Sequence, residues 1–147
     1  MPKAGAMLRA LPVTAAVRLL AAMIFALAAC VSPQRPSCRP GEQPAVQDTL
    51  YFGTGRPGGP VTAEDWSKFL AATVTPRFPQ GLTVSQASGQ WRGADGTIVH
   101  ESTYVLSLIH PDGAPSEAAI AEIVASYKSA FQQESVLRSR AETCASF

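Results

Sequence analysis

The sequence predicts an α+β domain with the element order β-α-β-β-α-β, a four-stranded antiparallel sheet with two helices on one face. Three observations carry this expectation. Two apolar stripes with a helical period each follow a capping signal. Short runs rich in β-branched and aromatic residues flank and separate them, and an Asp-Gly turn joins the middle two.

The first strand is read at Asp48 to Phe52 (DTLYF), ended by glycines. Gly53-Thr-Gly55-Arg-Pro-Gly58 then matches the dinucleotide fingerprint G-x-G-x-x-G in form only. Pro57 and Pro60 interrupt the required helix start, and the next strand, from Leu82 to Val84, lacks the acidic residue expected about 20 residues on to hold a ribose, so the stretch reads as a Gly/Pro turn. Thr62 is an N-cap with acidic residues at Glu64 and Asp65, which capping explains without invoking acid/base chemistry. Trp66, Phe69, Leu70 and Val74 form the first helical stripe, closed by Pro76 and Pro79. A second strand is expected from Leu82 to about Trp91, a turn at Arg92 to Gly96, and a long third strand from Thr97 to Ile109. Ser116 is read as the cap of a second helix whose buried face is Ile120, Ile123, Val124, Tyr127 and Phe131. The last strand is placed at Ser135 to Ser139. This order is the ferredoxin-like split βαβ pattern, in which the first and last strands are neighbours.

The N-terminal third follows different rules. Leu19 to Ala29 is an unbroken apolar run of 11 residues, too short to span a bilayer, which takes about 20. Lys3, Arg9 and Arg18 precede it, with no acidic residue before Glu42, so residues 1–29 read as an export signal. Leu27-Ala28-Ala29-Cys30 fits a bacterial lipobox at every position, which makes Cys30 the lipidation site and anchors the protein to a membrane. Two or three acyl chains, at about 0.8 kcal/mol per buried CH₂, hold such an anchor firmly. Val31 rather than Asp after that cysteine is the outer-membrane pattern in a Gram-negative cell, with the domain facing the periplasm. Removing three of the twelve basic residues leaves nine against eleven acidic ones, a mature charge of about −2. No basic patch is present, so nucleic acid is not an expected partner.

With Cys30 lipidated, Cys38 and Cys144 remain near the two ends of the mature chain. In an oxidising compartment such a pair is expected to form a disulfide. Residues 30–47, the lipidated cysteine and a segment with four prolines, are read as an extended tether that excludes a helix or central strand, and residues 48–147 as one domain.

Apolar residues on both faces of the third strand (Tyr104, Leu106 and Leu108; Val105 and Ile109) leave the second sheet face incompletely solvated, and Tyr51 is expected to join it. A homodimer, a partner or ligand groove, and cover by the proline-rich segment all remain open for that face. His100 and His110, ten residues apart in one strand, stand about 33 Å apart and cannot share a metal. No metal or cofactor is expected, and no nucleophile-elbow, metalloprotease or phosphate-loop motif is present. The most suggestive polar set is Gln90, Trp91, Arg92 and Asp95, followed by Glu101. It reads either as a clamp for an anionic ligand or as a Trp plug with Arg92 paired to Asp95 across the turn.

The stretches DTLYFG, VTPRFPQGLTV, GQWRGADG and YKSAFQQESVLR, with the final Cys, resemble an uncharacterised family of small exported bacterial proteins, often lipoproteins. The resemblance covers residues 48–147 and implies bacterial origin and a lone domain, with no activity or site residues to carry over. Two functions are therefore expected to compete. One is a non-catalytic envelope module that binds an unknown ligand or envelope protein. The other is a small periplasmic enzyme of the dimeric α+β-barrel type, with Arg92, His100 and Glu101 in a cleft.

Overall fold

The computed structural model describes residues 37–146; residues 1–29, read above as an export signal, and Cys30 lie outside them. Strands β1 (Gln43–Gly53), β2 (Thr83–Arg92), β3 (Ile98–His110) and β4 (Leu137–Ala145) form one antiparallel sheet in the order β2-β3-β1-β4. Helix α1 (Ala63–Phe69) runs into a five-residue π-helical turn, Leu70–Val74, and α2 (Ala114–Phe131) precedes β4. Among the described residues no helix is long and apolar enough to cross a membrane.

Alternation along the strands sends Leu50, Phe52, Tyr104, Leu106 and Leu108 to one face. Trp66, Phe69 and Val74 from the first helical segment meet them there, with Ile120, Ile123, Tyr127 and Phe131 from α2. Phe52 is the hub, with ring centroids 5.2 Å from Trp66 and 4.7 Å from Tyr127. Trp66 also stacks on Tyr104 at 4.6 Å. Such aromatic pairs each add about 1 kcal/mol beyond area burial.

The capping box forms as the sequence implies: Thr62 Oγ1 accepts from Asp65 N–H, and the Asp65 carboxylate accepts from Thr62 N–H. These bonds from Thr62, reinforced by Arg56, hold the Asp65 carboxyl below its ordinary range.

Several boundaries differ from expectation. α2 starts two residues before Ser116, with Gly113 at its N-cap and Pro115 in its first turn, and Ser116 Oγ donates to the Pro111 carbonyl instead of capping. β1 begins at Gln43 and includes Pro44, inside the segment expected to be a tether. A proline fits there because β3 ends opposite Val46, so at Pro44 the strand is paired only with β4. β4 runs on to Ala145, and Cys38 and Cys144 form the disulfide, with Cα atoms 5.6 Å apart.

Candidate functional site

The sheet face away from the helices is open. Leu137, Tyr51, Val105 and Ser85 form one row across it, with Tyr51 38% and Leu137 66% exposed. The next row toward the β2–β3 turn is small: Ala87, Thr103 and Gly53 lie in register, and beyond it Gly89 faces Glu101. Large residues beside small ones leave a cleft of about 280 Å³. Tyr51, Trp91 and Leu137 wall it, and the segment after α2, Gln133 to Ser135, rims it.

Glu101 is the polar centre of this cleft. Its Oε2 accepts from Gly55 N–H at 2.5 Å, while the Gly55 carbonyl accepts from Gln133 Nε2 at 2.6 Å. A Cβ on Gly55 would come within 2.9 Å of Oε2, and one on Gly53 would collide with the same carboxylate. The two glycines of the G-T-G turn thus leave room for the Glu101 carboxylate, which a side chain at either position would displace. Tyr127 braces the turn from beneath, its hydroxyl donating to the Gly53 carbonyl at 2.8 Å. Burial, with the nearby charge of Glu101, pushes that phenol well above its ordinary range, so it stays a neutral donor.

The expected polar set is divided. Tyr51 and Trp91 line the cleft, and Gln90 borders it between Gly89 and Trp91. Arg92 and His100 alternate with Trp91 and Glu101 and project from the other face, both exposed. Arg92, His100 and Glu101 thus do not converge. Nor does Arg92 pair with Asp95: that carboxylate accepts from Thr97 N–H at 3.0 Å and from Thr97 Oγ1 at 2.7 Å, which tightens the turn and lowers its pKa. The indole N–H of Trp91 is buried without an acceptor among the described residues.

A second polar cluster lies at the other end of the sheet, in the core. Asp48 is fully buried and receives Arg138 Nε at 2.6 Å, Arg138 Nη2 at 2.8 Å and His110 Nε2 at 2.9 Å. Burial raises the Asp48 carboxyl, but the bonds and charges of Arg138 and His110 outweigh it and hold the group below the ordinary carboxylate range. Arg138 also bridges to Glu117 on α2 and lowers that carboxyl by its hydrogen bonds. In the nearby hollow of about 530 Å³, between Pro44, Phe78, His110 and Ala145, the side chains of Arg77, His110 and Ser116 are already engaged. Both His110 nitrogens are held, Arg77 is taken by Glu122 and the Thr73 carbonyl, and Ser116 by Pro111. Those contacts staple that end of the domain, and the open-face cleft is the candidate site. Among the described residues no three metal-ligating side chains converge.

Fold and cleft together define a small α+β domain built on one sheet, with one face covered by helices and one left open. The chain belongs to the family described as a protein of unknown function, DUF3574, whose model matches residues 47–147. Two solved structures are similar in fold. A phage SAM lyase in complex with S-methyl-5'-thioadenosine is 14% identical and aligns over 80% of this chain and 97% of that chain, with a TM-score of 0.54. A phage SAM lyase in the apo state is 17% identical over 78% of this chain and 97% of that one, with a TM-score of 0.50. No curated protein matches the chain.

Proposed function

We propose that this is a lipid-anchored protein of the bacterial cell envelope whose domain is a non-catalytic binding module with its site in the open-face cleft. The observation that carries the reading is the Glu101–Gly55–Gln133 clamp inside a hollow walled by Tyr51, Trp91 and Leu137. Pre-formed concavity with few, fixed polar groups is what a small-ligand site needs. The element order and the strand order β2-β3-β1-β4 support a ferredoxin-like split βαβ for the scaffold. The basic n-region, short apolar run and L-A-A-C support export and lipidation at Cys30. A second copy stacking on the row of Tyr51, Val105 and Leu137 would compete with ligand for the same face.

Two measurements test this. Fluorescence and amide-shift titration of the mature domain with a small-molecule library should perturb Trp91 and the Gly53–Gly55 turn; hits confined to other surfaces would sink the site. Cys30→Ala should abolish palmitate incorporation and release the protein from membranes, and unchanged labelling would refute the anchor. The competing reading, a small enzyme of the dimeric α+β-barrel type, loses its cleft because Arg92, His100 and Glu101 do not converge. Fold likeness to a phage SAM lyase is a separate ground for catalysis. Conversion of S-adenosylmethionine to S-methyl-5'-thioadenosine by the purified domain would favour it over simple binding.

A further inference from the structure

We infer that the cleft is specific for a small organic cation, an amine, sulfonium or quaternary ammonium group; this rests on the cleft being a binding site. The charge around it is of one sign. Glu101 and Glu134 line the hollow, and no Lys, Arg or His does. Gly55 N–H holds Glu101 Oε2 over the cleft, and the bare backbone of Gly53 and Gly55 leaves room for the carboxylate there. Its Oε1 has no hydrogen-bond partner among the described residues, so one oxygen of the carboxylate is left for a guest. An anionic ligand would meet two like charges and no cationic side chain among the residues lining the cleft.

The walls point the same way. Trp91 and Tyr51 line the same cleft as that carboxylate, and aromatic rings with an anion are the combination that attracts alkylated ammonium or sulfonium groups. The floor of Ala87, Gly89 and Gly53 leaves width for a branched head such as trimethylammonium. Arg92, the nearest strand cation in sequence, alternates away to the opposite face and does not neutralise the site.

The test compares three probes that share one branched head: choline, its neutral isostere in which a quaternary carbon replaces nitrogen, and tert-butylacetate. Each is titrated into the mature domain while Trp91 emission and the amide shifts of Gly53, Gly55 and Glu101 are followed. The expected result is choline binding at least tenfold tighter than the isostere, with no response to the carboxylate. Glu101→Gln, whose amide oxygen still accepts from Gly55 N–H, should bring choline down to the affinity of the isostere. Equal affinity for choline and isostere, or preference for tert-butylacetate, would overturn the cation specificity while leaving the cleft a site. No cleft response to any of the three would overturn both.

Discussion

Glu101 and Gly55 are 46 residues apart in the chain, yet a side-chain oxygen of one and the backbone N–H of the other lie 2.5 Å apart. The pairing of β1 with β3 brings them together, and the absence of a side chain at Gly53 and Gly55 lets them stay. Gly53→Ala should therefore not behave as the usual strand-favouring change. The new Cβ displaces the carboxylate and breaks its bond to the Gly55 amide, costing about 1 kcal/mol, the net worth of one hydrogen bond. Urea midpoints and the Gly55 amide shift check this; a stabilised protein with an unmoved shift would show that the carboxylate is not held there.

Why the Gly-Thr-Gly stretch was legible only as a turn follows from the same contact. A glycine required by close approach of a distant side chain looks, in sequence, like one required by a turn. The helices were readable because capping and the 3.6-residue period are local: Thr62, Asp65 and the stripe from Ile120 to Phe131 are all within one element. Strand interiors were readable from runs rich in β-branched, aromatic and other apolar residues, as in Tyr104 to Ile109. Their ends were not. Pro44 is in a strand because β3 has stopped, and Leu137 to Ala145, with little apolar alternation, is a strand because β1 pairs with it. The buried Asp48–Arg138–His110 cluster and the cleft depend on register across three strands, which no single stretch encodes.

Asp48→Asn should be among the most destabilising single changes in the domain. The amide nitrogen would face donors from Arg138 or His110, and one partner would lose its acceptor in the core. Breaking a buried pair in this way costs about 3–5 kcal/mol. Chemical denaturation should show a lower midpoint at an unchanged slope. A loss under about 1 kcal/mol, the scale of a solvent-exposed ion pair, would argue that water reaches the cluster.

Acid should act through the same groups. The folded Asp48 and Glu117 carboxyls are held below their ordinary range, so they bind protons less readily in the native state than in the unfolded chain. Their contribution is complete above about pH 5, where unfolded carboxylates are ionised, and is lost as pH falls through about 4 and below. Stability measured from neutrality downward should drop in that window. Asp48→Asn should start lower and fall less steeply, and parallel curves for the two proteins would refute the assignment.

Tyr127 gives the opposite dependence. Its hydroxyl is buried and donates to Gly53, and its folded pKa is raised, so the neutral form is favoured in the native state. That contribution is present below the ordinary tyrosine value of about 10 and is lost as pH rises beyond it. Tyr127→Phe should cost about 1–2 kcal/mol at neutral pH through the orphaned carbonyl and flatten the alkaline limb. Alkaline unfolding curves of equal slope would place the titrating group elsewhere.

The Cys38–Cys144 bridge closes nearly the whole mature chain, with 106 residues of separation between its ends. It lies where β1 is weakest, since Pro44 and Ala45 pair only with β4 and not with β3. Opening a loop of this size restores unfolded-state entropy equivalent to about 4–5 kcal/mol in the chain model, so the Cys38→Ser/Cys144→Ser double variant should unfold at a markedly lower urea concentration. Local opening should also begin at this end: amides of Ala45, Thr143 and Ala145 should exchange faster on reduction, whereas those of Leu106 and Leu108 in the central strand should follow only the global change. The cleft stands at the far end of the sheet, so cleft binding should persist in the reduced protein under conditions where it remains folded. A reduced domain with unchanged midpoint and unchanged exchange at Ala45 would show that pairing with β4 alone secures the first strand.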